Sequence, residues 1–283
     1  MLQVFQFDSG VEGNRVLFLG SVHGNEVCGS LAIVEYVKKL ESGAVLLRSG
    51  SVTFLPFINQ RAYESKTRFI DVNLNRIIKK NHSPKLYEEA LAQELLPFLE
   101  KATHVIDLHS MTASTPPLVF VDYEEEENLR LAQVTGVQFC VKGWADVFDD
   151  DKESNDTISY VHHHSGYGVT VECGQHEDVA SLQVARDVIG NVLSKYTGIK
   201  EQHSHTTRDY SQEVIRIYSV IFKEGDGDCL VKDFANFDQA REGELLATRG
   251  SGSSITAEKD CYIVLPNKNA KVGHEWFYLG VKE

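Results

Sequence analysis

What this sequence lacks narrows its class first. No apolar run approaches the roughly 20 residues needed to span a bilayer, and the N-terminal MLQVFQFDSG has neither the basic start nor the long apolar core of a secretory signal. A soluble cytoplasmic protein without membrane attachment is expected. Cysteine is scarce: five residues (Cys28, Cys140, Cys173, Cys229 and Cys261), odd in number and without a C-x-x-C spacing. That pattern speaks against a disulfide framework and against a zinc ribbon, and leaves reduced thiols in a cytosolic setting. Positive charge is short as well, with 28 Lys and Arg against 41 Asp and Glu and a net charge of −13. Nucleic acid and anionic membrane surfaces both need a basic footprint, so neither is expected as a partner. No internal repeat is visible. The one charge run, YEEEENLR at 123–130, reads as the solvated start of a helix.

What is present suits a large globular chain. At 283 residues it can bury a core without disulfides or a structural metal, so a bound metal is expected to be catalytic. Short apolar runs at 15–20, 51–59, 103–110, 117–122 and 166–174 are rich in β-branched and aromatic residues and bounded by Gly, Ser, Asn or Pro. They read as buried strands. Helical patterns separate them at about 26–41 (stripe Leu31, Val34, Val37, Leu40), 84–101 (Leu91, Leu95, Leu99), 124–135 and 177–196. The alternation predicts an α/β fold with a mostly parallel central sheet and helices on both faces. Past residue 200 the texture changes to a polar stretch, EQHSHTTRDYS, with HSH at 203–205 read as linker, and then Gly-punctuated strand material. Two domains are expected: a catalytic α/β domain over 1–200 and a small all-β domain over 201–283.

The residues that carry chemistry cluster at strand ends. His23 and Glu26 in VLFLGSVHGNEVCGS form an H-x-x-E spacing that chance alone could supply. Their place just past a strand and before a helix adds weight, because α/β folds bind ligands at the carboxyl ends of strands. A catalytic zinc takes three protein ligands and leaves one position open. His109 in VIDLHS is the candidate third ligand, and Asp107, two residues earlier on the same side of the strand, can hold a ligand's ring N–H. Glu172 in VTVECG ends another apolar strand, where a carboxylate is costly without a role and suited to proton transfer. In TRFIDVNLNR, Asp71, Asn73 and Asn75 imitate the start of an EF-hand loop, but Arg76 stands where the sharp turn needs Gly and His82 where a Glu belongs. That leaves Arg68 and Arg76 flanking Asn73 and Asn75, two guanidinium forks and an amide suited to fixing carboxylates and polarising a carbonyl. The three histidines of YVHHHSG, His162 to His164, are expected on a mobile or substrate-facing loop. A second metal site there is disfavoured, since neighbours in extended chain point to opposite sides.

Taken together and in order, H-G-N-E (23–26), R-F-I-D-V-N-L-N-R (68–76), D-L-H (107–109) and V-E-C-G (171–174) resemble the succinylglutamate desuccinylase/aspartoacylase family, relatives of the zinc carboxypeptidases. The motifs span residues 14–180, and YIVLPN with the terminal GHEWFYLG resembles the end of that family's β domain. The resemblance implies an amidohydrolase with one zinc per chain that removes the acyl group from an N-acyl amino acid. His23, Glu26 and His109 would hold the metal, and Glu172 would be general base and proton shuttle. Arg68 would steady the oxyanion, and Asn75 and Arg76 would bind a substrate carboxylate. One position departs: where that family carries an arginine that grips a substrate carboxylate, this chain has His162, so His162 is the candidate specificity residue. A zinc carboxypeptidase for short peptides and a non-catalytic metal-binding relative are the alternatives, and a homo-oligomer is compatible with the sequence.

Overall fold

The computed structural model describes residues 1–147, 155–199 and 212–283; the stretch at 201–211 and the boundary expected at 200 lie outside them. The first part of the chain forms β1 (Phe5–Asp8), β2 (Arg15–Gly20), α1 (Cys28–Glu41), β3 (Ser51–Leu55), α2 (Gln60–Ser65), a 3-10 turn at Leu74–Arg76, and α3 (Tyr87–Lys101). There follow β4 (His104–Met111), β5 (Leu118–Val121), α4 (Glu126–Thr135), β6 (Phe139–Lys142), α5 (Thr157–His163), β7 (Tyr167–Gln175) and α6 (Val179–Thr197). The last part is all strand: β8 (Glu213–Phe222), β9 (Cys229–Leu230), β10 (Asp238–Ala240), β11 (Leu245–Thr248), β12 (Ser254–Thr256), β13 (Cys261–Val264) and β14 (Glu275–Lys282). Among the described residues no helix is long and apolar enough to cross a membrane.

Eleven strands make one sheet in the order β1-β3-β2-β4-β7-β5-β6-β8-β14-β13-β10. Its centre, β3-β2-β4-β7, is parallel. β5 runs antiparallel to β7 and parallel to β6, and β6 pairs in parallel with β8. From β8 onward β14, β13 and β10 extend the same sheet antiparallel, while β12, β11 and β9 form a small sheet of their own. The expected class, a mostly parallel α/β sheet with a smaller antiparallel C-terminal part, is therefore found.

Side-chain period two explains why the central strands are apolar throughout. In β2, Val16 and Phe18 join a core with Ile33 and Tyr36 of α1 and Val188 and Ile189 of α6. Leu17 and Leu19 point the other way, into a core with Leu91 and Leu95 of α3 and Ile158 and Val161 of α5. Each such side chain contributes roughly 1.5–3 kcal/mol by leaving water. Helix α1 departs from the expected stripe: Leu31 is 41 % exposed, and the buried face is Ala32, Ile33, Tyr36, Val37 and Leu40. The helix rolls this way because Gly29 lies directly on β4, where a Cβ would come within 2.5 Å of Leu108 Cβ. The histidines expected on a loop instead belong to α5 or cap it. Asp156 starts that helix by accepting a hydrogen bond from the Ser159 N–H at 2.7 Å.

One buried carboxyl group shapes the loop that precedes the 3-10 turn. Glu88, fully enclosed at the start of α3, accepts hydrogen bonds from the backbone N–H of Ile70 (2.7 Å), Asp71 (3.0 Å) and Val72 (3.2 Å) and from Asn59 Nδ2 (3.1 Å). The loop carrying Arg68 and Arg76 has no regular strand to hold it, so this carboxyl group substitutes for one. Glu88→Ala leaves those donors unsatisfied, and a loss of roughly 3 kcal/mol or more is expected. For a chain of this size that is a fall in thermal midpoint of roughly 6 °C or more. A calorimetric scan matching wild type would show that the loop is held by something else.

Candidate active site

Beyond β2 the chain turns through Ser21, whose φ of 47° is left-handed, and the next residues are the H-G-N-E segment. Gly24 is required there: a Cβ would sit 2.1 Å from the Ala62 carbonyl carbon, and its N–H donates to the Arg68 carbonyl at 3.1 Å. The turn thus locks onto α2 and onto the Arg68 loop together. His109 lies at the end of β4 and Glu172 on β7 directly opposite it. Both point to the face covered by α3 and α5, because Ile106, Leu108, Val169 and Val171 occupy the other.

His23, Glu26 and His109 converge there, all buried, with their ligand atoms within 4.8 Å of one another. Glu26 Oε1 is 3.0 Å from His23 Nδ1, and Oε2 is 2.7 Å from His109 Nδ1. The far ring nitrogens face acceptors: His23 Nε2 is 3.0 Å from Asn73 Oδ1, and His109 Nε2 is 2.9 Å from Asp107 Oδ1. Asp107 is itself held by the Thr157 hydroxyl, which donates to Oδ2 at 2.6 Å. Both imidazoles turn Nδ1 toward the Glu26 carboxylate, an arrangement suited to a cation shared among the three side chains. His23 Nδ1 has no hydrogen-bond partner although it is buried. Two imidazoles and one carboxylate, with Asn73 bonded at the far nitrogen of His23 and the Asp107 carboxylate 2.9 Å from that of His109, are the donor set of a catalytic zinc centre, so the residues fit that metal.

The electrostatics follow from burial among charges. Burial lowers the pKa of His23, against the pull of Glu26. For His109 burial acts in the same direction, but the facing carboxylates of Asp107 and Glu26 outweigh it and hold the pKa well above the usual histidine value. Glu26 stays well below the ordinary carboxylate range in spite of burial, through the two histidines. It also accepts from Arg68 Nη1 at 2.6 Å and from the Ser110 N–H at 3.2 Å. Glu172 goes the other way: burial first, and then the Glu26 charge, raise its pKa to about 8. Its Oε2 is sealed from solvent without a hydrogen-bond partner.

His23, His109 and Glu172 line a cavity of about 340 Å³, with Glu26 buried behind the two histidines. Arg68, Asn75 and Arg76 also line it, together with Phe120, Asp122, Trp144 and Asp156, and with Leu265 and Asn267 from the loop after β13. Asn75 is fixed by its Oδ1, which accepts from the Thr157 N–H at 3.0 Å. His162 is not among the lining residues. Helix α5 lays its ring on Tyr123, with centroids 3.6 Å apart, and its Nδ1 3.4 Å from Glu125 Oε1. Sequence reasoning passed over Asn73 as a partner of His23, Thr157 as the support of Asp107 and Asn75, and Glu88. Only Asn73 had a signal, its place between the Arg68 and Arg76 positions.

Comparison with known proteins agrees with this geometry. The profile of the succinylglutamate desuccinylase/aspartoacylase catalytic domain matches residues 12–193. A succinylglutamate desuccinylase of Pseudoalteromonas atlantica is 23 % identical over 300 residues, covering 95 % of this chain and 82 % of that protein. The aspartoacylase of Rattus norvegicus is 34 % identical over 113 residues, 35 % of each chain. The crystal structure of succinylglutamate desuccinylase from Vibrio cholerae superposes with a TM-score of 0.79 at 17 % identity, covering 99 % of this chain and 85 % of that one, a likeness of fold. With the profile spanning well over half of its length and the His-Glu-His cluster in place, the chain belongs to the succinylglutamate desuccinylase/aspartoacylase family.

Proposed function

We propose that this member of a family of N-acyl amino acid hydrolases is a zinc amidohydrolase whose substrate carries at least one carboxylate. The observation that carries the reading is the convergence of His23, Glu26 and His109 beside the unpartnered Glu172 Oε2 in one cavity. One zinc per chain, held by those three residues, would supply Lewis-acid activation of water and of the scissile carbonyl.

The chain's own residues do the rest. Asn75 and Arg76 receive the substrate carboxylate, for which a guanidinium and an amide offer matched donors. Arg68 sets its guanidinium beside the carbonyl oxygen, where negative charge grows as the carbon becomes tetrahedral. The Glu172 carboxylate takes a proton from the attacking water and returns it to the amide nitrogen as the C–N bond breaks. Its place on β7, directly opposite His109, sets it beside the metal ligands for both transfers. In this reading the domain expected over 1–200 carries the chemistry, and the domain expected over 201–283 contributes Leu265 and Asn267 to the cavity wall.

Two tests address the reading. Glu172→Gln, assayed on N-acetyl and N-succinyl amino acids and on dipeptides, is expected to lose roughly 10²–10⁴-fold in kcat while its zinc content matches wild type. Full activity with zinc retained would sink the proton-shuttle role. Chelation is expected to abolish turnover and lower the thermal midpoint, and zinc at one equivalent to restore both, since a ligand bound only by the folded state stabilises it. Metal analysis that finds no zinc uptake, or a stripped protein that still turns over, would overturn the metal assignment.

A further inference from the structure

The second polar group that this cavity is built to receive can be read from the charges on its wall. A dicarboxylic substrate needs two cationic anchors. Among the described residues, Arg68 and Arg76 are the two guanidiniums that line the cavity, and Arg68 Nη1 already donates to Glu26. Arg76 is left for a carboxylate. His162, at the position where the family resemblance places a further arginine, lies against Tyr123 and Glu125 and does not line the cavity.

Acids take the place of that missing cation. Asp122, the residue after β5, lines the cavity, and its Oδ1 is sealed from solvent with no hydrogen-bond partner. Asp156 lines it as well, while also capping α5. Burial, reinforced by the Asp156 charge, pushes the Asp122 pKa up to about 7, whereas Arg76 is near enough to oppose the rise. Arg76 does not pair with Oδ1; its Nη1 donates to the Asn75 carbonyl at 2.8 Å. A buried acceptor without a donor costs free energy that an incoming N–H group removes. Phe120 and Trp144, packed edge to face at 5.4 Å, line the same cavity, and aromatic rings attract cations. A second divalent metal is a poor alternative: among the described residues, only His23, Glu26 and His109 gather three metal-ligating side chains.

Building on the deacylase reading above, we propose that the favoured substrate is an N-acylated diamino acid, its carboxylate on Arg76 and its side-chain ammonium on Asp122. A second substrate carboxylate would meet Asp122 and Asp156 and be repelled. Asp122 is in this view a specificity residue, and the reaction itself is unchanged.

The test uses the zinc-loaded full chain and Nα-acetyl and Nα-succinyl forms of ornithine and lysine, of their neutral counterparts norvaline and norleucine, and of glutamate. Wild type is expected to show kcat/KM at least about 30-fold higher for ornithine or lysine than for the neutral and acidic sets, the size of effect that one buried charge pair provides. In Asp122→Asn the ratio of cationic to neutral substrate is expected to fall by about the same factor, with the loss concentrated in KM. A glutamate preference in wild type, or equal losses on all substrates in a variant whose zinc content and circular dichroism match wild type, would overturn the proposal and leave the deacylase reading standing. Absence of hydrolysis across the whole panel by zinc-loaded wild type would overturn both. If Asp122→Asn fails to fold, the wild-type preference alone decides.

Discussion

Parallel registration of β2, β4 and β7 is the constraint from which the site follows. Leu19 lies opposite Asp107, Asp107 opposite Thr170, and His109 opposite Glu172. A slip of one residue in either pairing would turn its side chains onto the wrong face and separate the two halves of the chemistry. The register is kept by apolar residues on both faces: Phe18, Ile106 and Val169 on one, Leu17 and Val105 on the other. The groups that react are therefore placed by the best-packed part of the protein, with Glu26 as the point where both histidines, Arg68 and the Ser110 N–H meet.

Substrate contacts rest on a different support. Arg68, Asn75 and Arg76 ride on an irregular loop secured by Glu88, by the Gly24–Arg68 backbone bond and by Thr157. Asp122 and Trp144 follow β5 and β6, and Leu265 and Asn267 follow β13. Loops of this kind can vary while the sheet stays constant, which is how one hydrolytic centre can serve several substrates. Thr157 joins the two systems, since its hydroxyl steadies Asp107 behind His109 while its N–H steadies Asn75.

Much of this was legible from residue order alone. The strands carrying His109 and Glu172 stood out because β-branched runs on a doubly covered sheet cannot alternate with polar residues. His23 and Glu26 drew weight only from their place after such a strand. The 3.6-residue period found α1 but chose a stripe through Leu31, since the true face is selected by Gly29 lying on Leu108, a contact 79 positions away in sequence. β1 (FQFD) and β6 (FCVK) did not stand out because neither is an unbroken apolar run like the equally short β5 (LVFV). The histidine triplet was expected on a loop although Asp156 and Ser159 form a capping pair just ahead of it. Glu88, Thr157 and Asp122 were not singled out because each matters through partners or a cavity supplied by distant segments, and nothing beside them in the sequence shows that.

The parallel pairing of β6 with β8 has a thermodynamic consequence. β8 supports β14, which supports β13, and the residues after β13 close the cavity. Opening that seam would peel a wall from the binding site and expose the edge of β6 in one event. Occupancy of the cavity and integrity of the seam are thus linked equilibria: a ligand that binds against Leu265 and Asn267 only while the seam is closed also holds the sheet together.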